Sequence, residues 1–426
     1  MLGARPRRAG RGPMPMTRSR PSSVAIIASG LMVTLVTVAL ARLSFGLILP
    51  PMRAALGLSY EQAGHLGTAT ALGYVSLVMV AGALASRRGG RASILLGLVF
   101  VIAGFSGLSL ASAYWQLLVL MTLLGFGTAF AYTPLISLIA TWFPQRRGVV
   151  IGLLNSGVGL GMMCAGWIVP YLSSAHDDGW RLVWMLFAAT GLVTLVAALL
   201  FLHNPPRPVS DAQIPDAAAD DRQEIRRSVF RNPYVLTVGL VYGIVGMTYI
   251  VQAIFMFSYA LAAGVDPGVA GRLASFMGLL GIICGPIWGS VSDRLGRGHS
   301  LMLAMSLACV STAIPVLWPT LLGFGGHYVI LGVAVTGMFT CALAASTESV
   351  SVHAAPLAVS YVTLFFATGQ LLGPTAAGWL ISWEDGFRLT FGVSAAITFV
   401  GALLGWRLTR IVLPLRSAPA VRSAST

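Results

Sequence analysis

The sequence predicts an all-α membrane protein in which 12 transmembrane helices form two parallel six-helix repeats. Three observations support this fold class. Hydrophobic residues make up 56% of the 426 residues and charged residues only 9%, whereas a soluble domain carries about 25% charged residues. The apolar residues fall into twelve runs of membrane-spanning length. Glycine, arginine and tryptophan positions of the first half recur in the second half.

The twelve runs follow one another along the chain with one long polar interval. A membrane-spanning helix needs about 20 apolar residues. Spans 1 to 6 are predicted near 24–50, 61–85, 92–112, 115–140, 148–173 and 181–203, and spans 7 to 12 near 233–261, 269–291, 300–319, 327–348, 356–382 and 387–413. These runs divide the chain into an Arg-rich tail (1–23), a six-helix bundle (24–203), a linker (204–232), a second six-helix bundle (233–413) and a tail (414–426).

The basic residues predict the orientation in the membrane. All 27 are arginines. If the N-terminus is cytoplasmic, the cytoplasmic segments hold 22 of them and the external loops hold 4, with Arg42 left inside span 1. Because cytoplasmic loops carry an excess of basic residues, we expect both termini to be cytoplasmic in a bacterial inner membrane. This distribution also argues against a nucleic-acid partner for the net charge of +14.

Cysteine and histidine give no sign of a metal or redox site. The four cysteines lie inside apolar runs without a CxxC spacing, which is typical of small buried hydrophobic side chains. The six histidines show no ligand spacing, and the sequence contains no phosphate-binding loop or catalytic His/Asp/Glu cluster. We therefore expect no cofactor, no metal and no enzymatic activity.

The two halves of the chain repeat. A shift of 207 residues aligns Ala55–Gly89 with Ala262–Gly296 without a gap, and a shift of 212 residues aligns Pro144–Trp167 with Pro356–Trp379. Arginine, proline and tryptophan match as well as glycine, so the small residues of packed membrane helices do not explain the alignment alone. Parallel repeats of this kind place a ligand site at the midplane between the halves and permit rocking between two access states.

A charged motif follows span 8 and recurs in altered form after span 2. The first reads GSVSDRLGR from Gly289 to Arg297, and the second reads GALASRRGGR from Gly82 to Arg91. Both resemble the G-x-x-x-D-R-x-G-R signature of the major facilitator superfamily, with Ser86 in place of the acid. The resemblance covers essentially the whole chain and implies a transporter. It also implies a cytoplasmic gate made of Gly82, Arg87, Gly89, Gly289, Asp293, Arg294, Gly296 and Arg297.

The gate motif also has a direct physical interpretation. Glycine allows two helices to approach closely, and Asp293 at a helix end can pair with arginines or accept from free backbone N–H groups. Such a cluster would close the cytoplasmic mouth in one state and separate in the other. The alternative is that the arginines only fix the topology. Asp293 argues against that alternative, because an acidic residue adds nothing to orientation.

Features of spans 4 and 5 narrow the resemblance. The drug antiporters of the superfamily carry an arginine four residues before a G-x-G on span 4, where this chain has Met121. They also carry a Gly-Pro motif on span 5, whereas Gly157 to Gly161 contains no proline. The segment from Trp142 to Gly148 is similar to the bacterial porters of monocarboxylates, oxalate and formate. This branch implies a small organic anion as the substrate.

Arg42 lies inside span 1, where a charged side chain costs about 2.5–3.5 kcal/mol on insertion scales and usually faces a cavity or a partner. A guanidinium can bind a carboxylate or another planar anion through two parallel hydrogen bonds. Alternatively, Arg42 could reach outward to the interface, since it lies about 12 Å before Pro50 along the helix.

Four polar residues at a depth comparable to that of Arg42 complete the candidate substrate-binding set: Asn155, Tyr249, Gln252 and Gln370. Tyr249 is the counterpart of Arg42 in the repeat. Each of the four could equally form a helix–helix hydrogen bond.

These features predict a secondary active transporter that moves a small organic anion, such as a carboxylate, by alternating access. Glu348, near the inner end of span 10, is a candidate for proton coupling or a residue of the membrane interface. The expected partners are the substrate, the lipid bilayer and a proton or counter-substrate, and we expect a monomer. The alternatives are efflux of amphipathic drug-like compounds and a non-transporting membrane sensor.

Overall fold

A computed structural model describes residues 23–143, 145–176, 178–204, 227–351 and 354–416 of the chain. Within these ranges, twelve helices are long and apolar enough to cross a membrane, which confirms the predicted all-α fold class. Most of the N-terminal tail, most of the linker and residues 417–426 lie outside the described ranges.

Span 1 consists of three consecutive helical segments, Ser23–Thr34, Leu35–Leu43 and Phe45–Leu56, and the other spans are single helices. In chain order spans 2 to 12 are Tyr60–Arg88, Gly90–Leu110, Tyr114–Trp142, Arg147–Ala175, Gly179–Phe201, Pro233–Ala262, Pro267–Leu295, Arg297–Leu317, Leu321–Ser346, Ala355–Ile381 and Gly386–Arg416. Span 10 begins at Leu321 rather than near residue 327, because the Thr320 side chain caps the helix by accepting a hydrogen bond from the Gly323 N–H.

The sequence repeat has a counterpart in the backbone. Among the described residues, four glycines have positive φ, a conformation that glycine adopts without steric cost. They form two pairs 207 residues apart, Gly57 (φ 63°) with Gly264 (φ 86°) and Gly89 (φ 90°) with Gly296 (φ 89°). The N-caps of spans 2 and 8, Ser59 and Asp266, have the same separation. Spans 2 and 8 therefore begin and end in equivalent turns.

The two ends of the bundle can be named from these turns. We call the end at which Gly89 and Gly296 lie the arginine-rich end, because arginines flank both turns, and the end at which Gly57 and Gly264 lie the opposite end.

Spans 5 and 8 cross between the halves and diverge toward the arginine-rich end. Each carries a glycine every seven residues on the facing side. At two of the three glycine pairs, Gly166 with Gly271 and Gly159 with Gly278, an added Cβ would touch the backbone of the other helix. At the third pair, Gly152 with Gly285, an added Cβ would meet no atom within 4 Å. The glycines permit close contact near the opposite end only.

Further contacts close the opposite end. A Cβ at Gly46 of span 1 would collide with the span 7 backbone at Ala253 and Ile254. Thr68 of span 2 donates to the Leu371 carbonyl of span 11 (3.0 Å), and its hydroxyl lies 2.8 Å from that of Thr375. The space between the halves is thus closed at the opposite end and open at the arginine-rich end.

Candidate functional site

Arg42 lies at the end of a π-helical segment, Leu35–Leu43, in the middle of span 1. The Ser44 N–H donates to the Ala39 carbonyl (2.8 Å), a wider turn than that of an α-helix. Thr128 of span 4 donates to the Thr37 carbonyl (2.8 Å), which ties the segment to its neighbour. Short π-helical segments inside α-helices are frequent at functional sites. Nothing in the residue pattern predicted this one.

The Arg42 side chain points between the two halves. Its Nη2 donates to Gln370 Oε1 of span 11 (2.7 Å), and its guanidinium carbon lies 5.0 Å from the centre of the Tyr74 ring of span 2. Arg42 is half-buried, and Gln370 is buried. The structure therefore brings together two of the predicted residues that are 328 positions apart in the chain.

Tyrosines from both halves surround the guanidinium. Tyr74, Tyr132 and Tyr249 are close enough to interact with Arg42 electrostatically. Tyr249 is buried and packs edge-on against Phe339, with ring centres 5.4 Å apart. Arg42 and its repeat counterpart Tyr249 thus face each other across the interface between the halves.

Asn155 and Gln252, the other two predicted residues, lie at the margins of this group. Asn155 is exposed and accepts a hydrogen bond from the Tyr132 hydroxyl (3.0 Å), so it connects to Arg42 through Tyr132. Gln252 follows Tyr249 by one helical turn and faces a separate pocket toward the opposite end. The structure brings Gln252 beside the Arg42 group without direct contact to the guanidinium.

Tyr74 and Tyr132 were not among the residues predicted for this site from the sequence. Both are tyrosines within apolar runs, and a buried tyrosine usually finds a partner for its hydroxyl. A tyrosine inside an apolar run was therefore a signal in the sequence that could have marked both residues as candidates. The Tyr74 hydroxyl lies 3.4 Å from the Thr133 hydroxyl.

Within the part of the chain that the structure describes, no acidic side chain pairs with Arg42 in the membrane interior. The thirteen Asp and Glu residues of the chain lie outside the twelve spans or within three residues of a span end. The recorded acceptor for Arg42, the Gln370 amide oxygen, is neutral. Because a buried charge is costly unless it is paired, this arrangement favours an anion as an additional partner.

The predicted gate residues lie at the arginine-rich end and are separated. Asp293 pairs with Arg297 one turn along the chain (2.7 Å), and Arg297 also donates to Ser292 Oγ (2.9 Å). A Cβ at Gly82 or Gly289 would meet no atom within 4 Å. Two arginines of the set, Arg87 and Arg294, are exposed, and two glycines form the turns already described, Gly89 and Gly296. Within the described ranges no ion pair joins the two motif copies.

Glu348 lies just beyond the end of span 10, at the arginine-rich end. Its carboxylate accepts a hydrogen bond from the Tyr234 hydroxyl at the start of span 7 (2.7 Å). Glu348 is exposed. This position is at the end of the bundle and not at the depth of Arg42.

No group of three or more His, Cys, Asp or Glu residues is placed to hold a metal ion within the described part of the chain. The four cysteines are free and lie within the spans.

A family model for "Uncharacterised MFS-type transporter YbfB" matches residues 34–405 of this chain. Among curated proteins, the oxalate:formate antiporter of Oxalobacter formigenes is 25% identical over 338 residues, which cover 78% of this chain and 77% of that protein. The multidrug resistance protein MdtG of Escherichia coli is 27% identical over 344 residues, or 77% of this chain and 80% of that protein.

Solved transporter structures share the fold. A bacterial homologue of the human lysosomal transporter Spinster, in an inward-facing and unoccupied conformation, superposes with a TM-score of 0.78 at 20% identity, covering 93% of this chain and 99% of that one. The nucleoside transporter NupG superposes with a TM-score of 0.69 at 12% identity, covering 91% and 98%. At these identities the likeness extends to the fold alone.

Proposed function

Because this chain belongs to the major facilitator superfamily, and is a multi-pass transporter of the bacterial inner membrane, we propose that its substrate is a small organic anion, such as a carboxylate. We further propose that Arg42 binds the anionic group between the two halves of the molecule.

The observation that carries this proposal is the uncompensated charge of Arg42. The Arg42 side chain is half-buried between spans 2 and 11. The acceptor of its hydrogen bond is the neutral side-chain amide of Gln370. A carboxylate would supply the missing negative charge and accept charge-assisted hydrogen bonds from the remaining guanidinium N–H groups. Gln370 and the Tyr74 ring hold the guanidinium in place before the anion arrives, which reduces the ordering needed on binding.

The surrounding side chains suit a small polar anion. The hydroxyls of Tyr74, Tyr132 and Tyr249 lie near the guanidinium and can donate hydrogen bonds to an oxygen-rich ligand. Asn155 extends this polar surface toward the open arginine-rich end through its hydrogen bond with Tyr132. We assign substrate contact to Arg42, Gln370 and the tyrosines, with Asn155 near the entry path.

Alternating access follows from the way the halves meet. The present conformation is open at the arginine-rich end, and the excess of basic residues in the loops there favours a cytoplasmic location. We therefore propose an inward-open state and cytoplasmic termini. The antiporter named among the relatives supports exchange against a counter-substrate, and Glu348 is a weaker candidate for proton coupling because it lies at the end of the bundle.

Efflux of amphipathic drug-like compounds is the second candidate, and its support is the similarity to a multidrug resistance protein. A drug site of that kind would rely on apolar and aromatic surface, and Tyr242, Phe339 and Phe366 do form a packed aromatic cluster in the second half. The unpaired Arg42 charge favours the anion over this candidate.

Counterflow in proteoliposomes separates the two candidates. Vesicles loaded in turn with oxalate, formate, lactate, an amino acid or a cationic dye are diluted into a trace of the same labelled compound. We expect accumulation for one or more carboxylates and none in vesicles containing Arg42→Gln. Accumulation of the dye without any carboxylate would overturn the anion proposal and leave drug efflux.

A further inference from the structure

A second pocket lies beside the Arg42 group, between spans 1 and 5 of the first half and spans 7, 8 and 10 of the second. Its wall is mostly apolar, with Leu43 and Met162 on one side and Met277 on the other. Tyr249 lines this pocket and also faces Arg42, so the pocket continues the central site toward the opposite end.

Two buried polar atoms belong to side chains that line this pocket and lack hydrogen-bond partners within the described residues. They are Gln252 Oε1 and His327 Nε2. The side chains of Gln252 and His327 belong to residues that are 4% and 0% exposed. Since nearly all buried polar groups are hydrogen-bonded, the two unpartnered atoms on this pocket are acceptors that a polar ligand can satisfy.

The hydrogen bonds of His327 define what it offers to that ligand. The Ser311 hydroxyl donates its hydrogen to the His327 carbonyl (3.0 Å), and His327 Nδ1 lies 2.9 Å from the Ser311 carbonyl oxygen. A carbonyl only accepts, so Nδ1 carries the hydrogen and Nε2 of the neutral ring is an acceptor. Because Nδ1 faces span 9, Nε2 lies on the other side of the ring, and His327 is one of the residues that line the pocket.

The charge of the pocket restricts the ligand further. No Asp or Glu lines the pocket, so an ammonium group would be buried without a counter-charge. A carboxylate could accept from the Gln252 amide after a half-turn of that amide, but it has no hydrogen to donate and would face the lone pair of His327 Nε2. A neutral hydroxyl fits both side chains: it donates to His327 Nε2, and it accepts from the Gln252 amide after a half-turn of that amide, which exchanges its oxygen and nitrogen.

We propose that this pocket binds a hydroxyl group at the far end of the substrate, which is therefore a hydroxycarboxylic acid. This inference rests on the proposed function, because it requires Arg42 to bind the carboxylate end. Gln252 follows Tyr249 by three residues, about 4.5 Å along the helix axis. The two ends of the substrate are therefore separated by a short carbon chain.

Matched pairs of ligands test the hydroxyl site directly. Each pair replaces the terminal hydroxyl by a methyl group of similar size: glycolate with propionate, 3-hydroxypropionate with butyrate, and 4-hydroxybutyrate with pentanoate. Binding to the purified full-length protein in nanodiscs is measured by isothermal titration calorimetry. We expect the hydroxy acid of at least one pair to bind roughly tenfold more tightly than its methyl counterpart, the effect of one well-placed hydrogen bond.

Variants of the pocket residues test whether the preference for the hydroxy acid over the methyl acid arises in this pocket. Gln252→Leu breaks no hydrogen bond between the described residues, and His327→Phe keeps an aromatic ring. Both variants should abolish the preference while affinity for the methyl acid is kept. Met277→Leu, an apolar neighbour of similar volume, should preserve it. Equal binding within every pair, as expected if a water molecule serves the two atoms, would overturn the inference and leave the anion proposal intact. A preference that survives in both polar variants would also overturn it. If none of the six acids binds although another carboxylate is accumulated in the counterflow assay, the hydroxy-acid inference fails and the anion proposal stands; if no carboxylate binds or is accumulated, the anion proposal itself fails.

Discussion

At the residue scale, the arrangement of Arg42 depends on neutral partners. The guanidinium is oriented by an amide oxygen and an aromatic face, and both leave its charge intact. An acidic residue in their place would form an internal ion pair and compete with an anionic ligand. The thirteen acidic residues lie at span ends or outside the spans, as the proposed anion binding at Arg42 requires.

Substitution of Arg42 should separate charge from geometry. Arg42→Lys keeps the charge and loses the two-pronged hydrogen bond, and Arg42→Gln loses both. Charge-assisted hydrogen bonds contribute about 1.5–3 kcal/mol, so we expect the affinity for the best carboxylate to fall by roughly one to two decades in Arg42→Lys and further in Arg42→Gln. Titration calorimetry measures the change.

Arg53 provides the matched control for this experiment. It lies on the same span, at the opposite end, with its guanidinium carbon 4.2 Å from the centre of the Tyr60 ring. Arg53→Gln should bind the carboxylate as the unmodified protein does. Unchanged affinity in Arg42→Gln would remove Arg42 from the binding site.

At the element scale, the turns after spans 2 and 8 carry the residues that we propose form a gate. Both turns contain a glycine with φ near 90°, and the second also carries Asp293, which here pairs with Arg297 of its own chain segment. The pair is local and its carboxylate is exposed, so little holds Asp293 in this arrangement. It is free to exchange partners when the arginine-rich end closes.

Asp293→Asn should weaken the closed form of the arginine-rich end. An exposed ion pair is worth at most about 1 kcal/mol and a partly buried one more, so we expect the closed population to fall about fivefold or more. A cysteine introduced at Gly285 in a cysteine-free background reports the change, because its alkylation requires an open arginine-rich end. Transport should fall while expression persists.

Asp266→Asn is the control for the charge change. Asp266 caps the other end of the same helix by accepting from the Val269 N–H, and asparagine caps equally well. Labelling and transport in this variant should match those of the unmodified protein. If Asp293→Asn behaves in the same way as this control, the motif serves only to fix the topology.

At the scale of the whole molecule, the two halves contact each other along spans 5 and 8, which are close at one end only. Spans 5 and 8 touch near the opposite end through facing glycines and separate toward the arginine-rich end, where Gly152 and Gly285 meet no atom. The seven-residue spacing places all three pairs on the same helix faces. We therefore infer that Gly152 and Gly285 approach each other when the arginine-rich end closes.

Valine at these glycines should shift the conformational equilibrium in opposite directions. Gly152→Val blocks closure of the arginine-rich end, and Gly166→Val forces the opposite end apart. Overpacking costs about 1–3 kcal/mol, which is roughly a 5- to 150-fold change in population. Alkylation of a cysteine at Gly285 should rise in Gly152→Val and fall in Gly166→Val. If alkylation changed in the same direction in both variants, the proposed closing of one end as the other opens would be contradicted.

The orientation of the molecule is tested at its C-terminus. A reporter enzyme that works only in the cytoplasm, fused after Thr426, should be active, and one that works only in the periplasm should be inactive. We expect this because the segments predicted to be cytoplasmic hold 22 arginines and those predicted to be external hold 4. A periplasmic signal would reverse the assignment of both ends of the bundle.

The sequence by itself determined the twelve spans and their repetition. In lipid, each spanning segment must satisfy its own backbone hydrogen bonds, so composition and length identify a span without reference to its neighbours. The turn glycines and the caps Ser59 and Asp266 are likewise local features, and their 207-residue spacing was readable in the chain. Arg42 was identifiable for the same reason, since a charge in an apolar run is conspicuous before any packing is known.

Only the tertiary structure decided what those residues face. The contact between Arg42 and Gln370 joins spans 1 and 11, and the pocket of Gln252 and His327 joins spans from both halves. A change of one residue in helical register rotates a side chain by about 100°, so the π-helical segment determines where Arg42 points although the residue pattern does not announce it. Span 10 begins earlier than predicted, which places His327 inside the helix instead of at its start. Side-chain direction and the open end both depend on how two preformed halves pack against each other, and that packing is a property of pairs of helices distant in the sequence.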